Sequence, residues 1–189
     1  MNRIIGLMTL GILTMMVSAL PAEEEPNAKE HYAATIMAVG GAAGGSTAPV
    51  DIWIDKFNTT EEAQKLAALL AEKGPDALRI ALEKLDAGRV TISNQGITPI
   101  AFARLLGNGK DRIIRLLIAR NILFLERYRI SRSQDYPFTI IELQVDEKGR
   151  GQGAAILAAQ IRFDDKNKQF VVKSLGQGTN LKLVNVRRF

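Results

Sequence analysis

The arginines between residues 104 and 132 are the side chains whose type and spacing most favour a chemical role. This stretch holds eight basic residues against two acidic ones, Asp111 and Glu126. Seven of the eight are arginines, whose planar guanidinium groups bind carboxylate or phosphate through paired hydrogen bonds. The candidate ligand-binding residues are six of these arginines and the single tryptophan: Arg104, Arg112, Arg115, Arg120, Arg127, Arg129 and Trp53.

Charge is divided unevenly along the chain. Residues 23–100 carry 12 acids and 7 bases, a net charge of −5, whereas residues 101–189 carry 8 acids and 17 bases, a net charge of +9. The basic half can bind an anionic partner, or it can lie against the acidic helical segment of the same chain. We favour the second interpretation. Phe124 and Tyr128 are interleaved with the arginines, but no nucleic-acid-binding motif accompanies them, so nucleic acid is not an expected partner.

Composition excludes several kinds of catalytic and metal site. The chain has no cysteine and one histidine, His31, which excludes a thiolate nucleophile, sulfur-bound zinc and a multi-histidine metal site. No Gly-x-Ser-x-Gly or Ser-x-x-Lys sequence supplies an activated serine. We interpret His31 as a residue at the end of a strand, either exposed or hydrogen-bonded, rather than a general base. The expectation is a protein that is not an enzyme and has no metal or cofactor.

The paired carboxylates and the glycine-rich run also match no catalytic pattern. Asp51 and Asp55 lie about 13 Å apart on one predicted strand, which is too far for either glycosidase arrangement. The acidic pairs at 146–147 and 164–165 fall in predicted turns, where aspartate accepts hydrogen bonds from its own backbone. The run from Gly40 to Gly45 precedes a predicted strand rather than a helix, so it is a hairpin loop rather than a phosphate-binding loop.

Alternating apolar and polar residues predict the strands that position these side chains. The strand from 112 to 120 would also fit a buried helix, but the turn sequence at 107–109 favours a hairpin. Short turns predict antiparallel neighbours and a final meander, and residues 121–133 are left open, with a short helix as one option. The predicted strands are 31–39, 50–57, 89–93, 99–105, 112–120, 137–145, 153–163, 169–175 and 181–187.

A helical hairpin is predicted at residues 60–87. Thr59 and Glu62 have the spacing of a capping box, in which each residue satisfies the other's backbone amide. Apolar residues at helical spacing follow. Gly74 ends the first helix, and Pro75 fits the first turn of the second, where a missing amide costs nothing.

These elements together predict an α+β fold. We expect a mostly antiparallel curved sheet or β-barrel of about eight strands with one inserted helical hairpin. Residues 31–189 form one domain, preceded by a flexible leader at 23–30. The aromatic residues fill the core or, in a wide barrel, line a ligand pocket. They are Trp53, Phe57, Phe102, Phe124, Phe138, Phe163 and Phe170.

Residues 1–22 have the features of a secretory signal peptide. A positive start at Arg3 precedes an apolar stretch at 4–17, which is shorter than the about 20 residues of a membrane-spanning helix. Small residues place the cleavage site after Ala19 or Ala22. The expected location is periplasmic or extracellular, with no membrane attachment after cleavage, and an uncleaved anchor is the alternative.

A series of short motifs runs along the mature chain in a particular order. The motifs are Gly40-Gly41, Gly44-Gly45, 52–54, 59–70, 74–78, 88–90, Ala103-Arg104, 133–138, Glu142-Leu143 and 183–186. Each is weakly specific, but their order resembles a family of uncharacterised exported bacterial proteins of the acidobacterial kind. The resemblance covers nearly the whole mature chain. It implies an intact single-domain unit, and no activity or site residues come with it.

The leading functional hypothesis is an exported, non-enzymatic binding or interaction module. Its unknown ligand would be small and amphipathic or anionic, held in an interior pocket or on the arginine-rich face. The alternatives are a structural protein of the cell envelope that acts through surface contacts and a hydrolase with a carboxylate or serine site. A cavity of several hundred cubic ångströms would favour the pocket, and a filled core with an exposed patch would favour surface contacts. The oligomeric state is left open.

Overall fold

Ten β-strands and one helical segment make up most of the residues that the computed structural model describes. Those residues are 29–39, 45–93, 96–107, 111–120, 135–167, 169–175 and 180–189. The elements are β1 (Glu30–Ala38), β2 (Thr47–Ile54), α1 (Thr60–Leu82), β3 (Gly88–Ile92), β4 (Ile97–Ile100), β5 (Phe102–Leu106), β6 (Arg112–Ile118), β7 (Phe138–Val145), β8 (Arg150–Asp164), β9 (Gln169–Ser174) and β10 (Asn180–Arg188).

Several sequence-based expectations fall outside the described residues. They are the signal peptide at 1–22, most of the leader, most of the loop at 40–45, and the open segment at 121–133. The strands on either side of that loop are antiparallel neighbours, with Met37 opposite Thr47. β1 begins at Glu30, the last residue of the predicted leader.

The strands form one antiparallel sheet in the order β4-β3-β2-β1-β10-β8-β7-β6-β5. The ends of this order come together because β4 and β5 are two parts of one bent strand, with β4 bonded to β3 and β5 to β6. At the bend, the Ala101 amide donates to the Leu117 carbonyl of β6 at 3.0 Å. The fold is therefore α+β with a nearly closed barrel, and the described residues form ten strands rather than about eight.

β8 is shared along one edge by two strands. Its first half pairs with β10, with Gly153 opposite Leu183, and its second half pairs with β9, with Phe163 opposite Phe170. β10 pairs on its other edge with β1. The predicted final meander is thus wrong at its last step, because β10 lies between β8 and β1 rather than beside β9.

Side chains alternate between the interior and the exterior of the barrel. Along β1, burial alternates residue by residue, and Tyr32 and Ile36 belong to the interior core while His31 faces outward. Eight strands supply large or branched side chains to that core, which packs the interior as expected for a small barrel. Examples are Tyr32, Ile52, Val90, Ile100, Ile114, Leu143, Leu157 and Leu183.

The helical segment packs on the outside of the barrel through a second apolar cluster. Leu70 and Leu78 of α1 lie against Phe102, Phe138 and Ile161, which come from β5, β7 and β8. Burial of this stripe, rather than intrinsic helix propensity, accounts for most of a helix's stability in such a position. The exterior of β1, β2 and β3 has no such covering among the described residues.

The predicted helical hairpin is a helical segment with one sharp break. Gly74 has φ 80° and ψ −177°, a conformation that glycine adopts without steric cost, and Pro75 begins the next helical turn. The segment ends at Leu82 rather than reaching residue 87. The amide of Ala87 already donates to the Ile100 carbonyl, next to the start of β3.

The capping box at the start of α1 gives a first testable prediction. Thr59 Oγ1 accepts from the Glu62 amide at 3.2 Å, and the Thr59 amide donates to Glu62 Oε2 at 2.8 Å. The Thr59 amide, helped by the Asn58 side chain, holds the pKa of Glu62 below its usual value of 4.5. We expect Glu62→Ala to lower the free energy of unfolding by about 1 kcal/mol at neutral pH.

Because the folded-state pKa of Glu62 is depressed, its carboxylate stabilises the fold fully above pH 4.5. That contribution is lost as the pH falls through the lower folded-state value. Urea unfolding at pH 7 and pH 3 should therefore show a smaller effect of Glu62→Ala at pH 3. Glu61→Ala, in the same helical turn, is the matched control, and an equal loss for both variants at pH 7 would contradict a role for the capping box.

Candidate functional site

An aromatic and cationic row crosses the exterior of the barrel at one end. His31 on β1 lies opposite Trp53 on β2, and Trp53 lies opposite Arg89 on β3. Phe189, just after β10, donates its amide to the His31 carbonyl at 2.9 Å. Since adjacent strands are about 4.8 Å apart, outward side chains at one register stack on each other. We call Phe189, His31, Trp53 and Arg89 the aromatic row.

The rings of the aromatic row are stacked closely. The centroids of His31 and Trp53 are 4.6 Å apart with planes 2° from parallel, and Arg89 Cζ lies 4.8 Å from the Trp53 ring centroid. Because His31 and Arg89 come from the strands on either side, they cover opposite faces of the indole. Phe189 is tilted by 31° against His31 at 5.4 Å, and it is 77% exposed.

His31 has a carboxylate partner on the same face. Its Nε2 lies 3.0 Å from Asp51 Oδ1, and since an ionised carboxylate only accepts, Nε2 carries the proton of this hydrogen bond. The expectation of a hydrogen-bonded histidine at a strand end is confirmed. A histidine–aspartate pair takes part in hydrolysis when a nucleophile joins it, and no hydroxyl of the described ranges is hydrogen-bonded to His31.

This arrangement supplies an optical prediction. Trp53 is the sole tryptophan of the chain, so its fluorescence reports the contacts of this one indole ring. We expect His31→Ala to shift the emission maximum of Trp53 to longer wavelength, because removal of the stacked imidazole exposes one face of the indole to water. Steady-state fluorescence measures this directly. An unchanged emission maximum in that variant would contradict the stacking.

The structure does not bring the candidate arginines to one face. Arg112 and Arg115 lie three residues apart on β6, so they point to opposite faces of the sheet. Arg115 Nε donates to Glu142 Oε2 on β7 at 2.7 Å. Arg104, opposite Arg115 on β5, is buried and donates to Thr60 Oγ1 at 2.9 Å.

The remaining candidates are more widely placed. Arg120 donates to the Ile97 carbonyl at 3.2 Å, next to the closure of the barrel. Arg127 and Arg129 lie outside the described residues. Trp53 stands on the aromatic row, separated in the sheet from β6 by β1, β10, β8 and β7.

Arg112 belongs to an interior ionic cluster at the same end of the barrel as the aromatic row. Its Nη2 donates to Glu30 Oε1 at 2.7 Å, and Arg188 Nη1 lies 3.3 Å from the same oxygen. The Tyr32 hydroxyl donates to Glu30 Oε2 at 2.7 Å. Burial, together with the hydrogen bond to the Glu30 carboxylate, raises the pKa of Tyr32. We call Glu30, Tyr32, Arg112 and Arg188 the ionic cluster.

The ionic cluster crosses the mouth of the barrel. Glu30 starts β1 and Arg112 starts β6, and three strands separate β1 from β6 in the sheet. The carboxylates that pair with Arg112 and Arg115 therefore come from strands β1 and β7. The sequence favoured a different interpretation, in which the acidic helix supplies the carboxylates that pair with the arginines. Instead, α1 contacts the barrel through apolar side chains and through the Thr60 hydroxyl.

The aromatic residues of the sequence do not line one common pocket. Phe57 lies in the interior core, Phe102 and Phe138 lie beneath α1, and Phe163 packs on Phe170 at 5.1 Å on β8 and β9. Phe124 lies outside the described residues.

A cavity between α1 and the barrel exterior measures about 20 Å³ and has an apolar lining that includes Leu66, Leu70 and Phe170. This volume admits at most one water molecule, and an apolar lining gives a water no partner.

The turn carboxylates accept backbone hydrogen bonds, as predicted. Asp146 Oδ1 accepts from the amides of Lys148 and Arg150. Asp164 accepts from the amides of Lys166 and Asn167 and from the Asn167 side chain, and those bonds lower the pKa of Asp164. Across the described ranges, no three metal-ligating side chains converge. No helix in that part of the chain has the length and apolarity to cross a membrane.

Comparison of the chain with models of protein families, with curated proteins and with solved structures found no match. The aromatic row is the feature that sequence reasoning missed as a unit. The alternating pattern places His31, Trp53 and Arg89 on the outward face of three strands. Their alignment in one row depends on the registers in which these strands pair, and local sequence patterns do not specify those registers.

Proposed function

We propose that the protein is an exported, non-enzymatic interaction module that binds its partner through the exterior of the barrel. The observation that carries this proposal is the contrast between the two sides of the sheet. The interior is packed with side chains, whereas the exterior of β1–β3 is left uncovered by the helix and carries the aromatic row. Large apolar side chains are exposed at this end and beside it, with Phe189 at 77% and Ile97 at 64%.

An interior ligand is the less favoured form of binding. Pockets for small molecules enclose about 300–1,000 Å³, and the cavity beneath α1 measures about 20 Å³. Since that cavity lies outside the barrel, it does not open into the interior core. These volumes support surface contact, so the partner we propose is a component of the cell envelope rather than an enclosed small molecule.

The export part of the proposal is tested by mass. We expect a secreting bacterial host to release the chain with its first 19 or 22 residues removed, in the periplasm or the medium, and intact-protein mass spectrometry to identify the cleavage site. Recovery of the full 189-residue chain from the cytoplasm would contradict export. Recovery of that chain in the membrane fraction would favour the uncleaved anchor.

The interaction part is tested by hydroxyl-radical footprinting of the mature protein with an envelope fraction of the source cells. We expect protection of the aromatic row, at His31 and Phe189, and unchanged labelling of Ile80, which is exposed on α1. Unchanged labelling of the aromatic row would contradict the proposal. Native mass spectrometry supplies the second arm, because a bound small molecule released on unfolding would instead indicate an interior ligand.

A further inference from the structure

The exterior beside the aromatic row carries an excess of arginine. Arg187 on β10 lies opposite Ala33 on β1 and opposite Arg150 on β8. Ala33 in turn lies opposite Asp51 on β2, so these residues form a second row directly above the aromatic row. Arg89, Arg150 and Arg187 are all exposed. We call these three residues the arginine triplet.

The arginine triplet differs from Arg112 and Arg115 in its charge balance. Arg112 and Arg115 each have a carboxylate within hydrogen-bonding distance. In the ranges that the structure describes, no carboxylate lies within 4.0 Å of a guanidinium nitrogen of the arginine triplet. This face therefore has positive charge that its own acids leave uncompensated.

Asp51 and Asp146, two of the carboxylates near the triplet, already have partners. Asp51 is hydrogen-bonded to His31. Asp146 accepts from the backbone amides of Lys148 and Arg150 in the turn before β8. The nearby exposed side chain of Lys148 adds positive charge. A ligand that complements this surface must supply anionic groups.

The spacing of the arginine triplet indicates an extended ligand. Arg89 is on β3 and Arg150 is on β8, and the intervening order β2-β1-β10 places them four interstrand spacings apart, about 19 Å along the sheet. Arg187 lies directly opposite Arg150, one interstrand spacing away. One phosphate or one carboxylate can therefore reach these two arginines at most, whereas a linear polyanion reaches all three.

The aromatic row favours sugars over nucleotide bases. Single-stranded nucleic acids bind by stacking their bases on open aromatic faces, but both faces of Trp53 are covered, by His31 and Arg89. The row instead presents ring edges and guanidinium N–H donors, which suit hydroxyl and carboxylate acceptors. Phe189 offers the one open ring of the row, which suits the apolar side of a sugar. A membrane surface would need a broader apolar face for insertion.

We propose that this exterior face binds a linear acidic polysaccharide. The arginine triplet contacts separate carboxylates along the polymer, and Phe189 packs against one of its sugar rings. This inference rests on the proposed function, because it names the chemical class of the partner for the same exterior surface.

The test measures binding of the mature protein to polygalacturonate, a polymer of uronic acid, by isothermal titration calorimetry at low salt. We expect Arg89→Gln combined with Arg187→Gln to weaken binding by about tenfold or more, with an unchanged circular dichroism spectrum. The matched control is Arg162→Gln with Lys173→Gln, which removes the same charge from exposed positions on β8 and β9. We expect neutral dextran not to bind.

Three outcomes would overturn the proposal: no binding of polygalacturonate, equal weakening by the two double variants, or tighter binding of either alternative probe. Those probes are an oligo(dT) strand and vesicles of phosphatidylglycerol. Footprinting separates the two levels of inference. Protection of His31 and Phe189 by the envelope fraction without polygalacturonate binding contradicts the ligand class alone, whereas loss of that protection contradicts the proposed function.

Discussion

Glu30→Ala should lower the free energy of unfolding by about 3–5 kcal/mol, because it leaves buried positive charge uncompensated. The Glu30 side chain is 7% exposed and contacts both Arg112 and Arg188. It also accepts from the Tyr32 hydroxyl, which has no contact with solvent. Urea denaturation followed by circular dichroism measures the loss, and a variant within about 1 kcal/mol of the parent would contradict burial of the cluster.

Double replacement distinguishes loss of charge balance from loss of packing. Replacing a whole buried ion pair with apolar residues is often neutral, whereas removing one member is costly. We therefore expect Glu30→Leu with Arg112→Leu to be more stable than Glu30→Leu alone. Arg112→Glu should unfold the domain by placing a second carboxylate beside Glu30. Such unfolding would identify Arg112 as a structural residue rather than a ligand-binding one.

Gly88→Ala should prevent β2 and β3 from pairing and cost several kcal/mol. A Cβ atom at this position would lie 2.1 Å from the Trp53 carbonyl oxygen, and Gly88 has φ 144°. The neighbour is backbone, so relief requires separation of the two strands. Thermal unfolding measures the loss, and Trp53 emission reports the altered strand.

Gly96→Ala is the matched control for Gly88→Ala. Gly96 has φ 81°, and apart from its chain neighbours no described residue has an atom within 4 Å of the position that a Cβ would occupy there. The replacement therefore adds left-handed backbone strain alone, at about 1–2 kcal/mol. A similar loss for the two variants would show that strain, rather than the contact with Trp53, limits position 88.

The strands were largely predictable because their signal is local. The alternation at 31–39 and 181–187 corresponds closely to β1 and β10, and the strand assigned to 112–120 is confirmed as β6. The predicted strand at 99–105 is wrong as one unit, because Ala101 interrupts it between β4 and β5. The bend allows β4 to pair with β3 and β5 to pair with β6. Which strands become neighbours depends on contacts between distant parts of the chain.

The candidate site was less predictable than the strands, as the arginines between residues 104 and 132 show. Residues that are close in sequence do not share one surface when they lie on a strand, because successive side chains point to opposite faces. Arg112 and Arg115 are an odd number of residues apart, so strand geometry alone assigns them to opposite faces. Trp53 is a candidate binding residue from the sequence alone, but its stacking between His31 and Arg89 requires the registers of β1, β2 and β3.

The position of β10 has a consequence for how the chain folds. This strand joins β1 to β8, and its Arg188 meets Glu30 across a sequence separation of 158 residues. Contacts of such high order carry a large loop-closure entropy and slow the folding of β-rich domains. The other nine strands can pair among themselves while the gap between β1 and β8 stays open. Closure of the barrel must wait for residues 180–188, so we expect the insertion of β10 to be a late and slow step of folding.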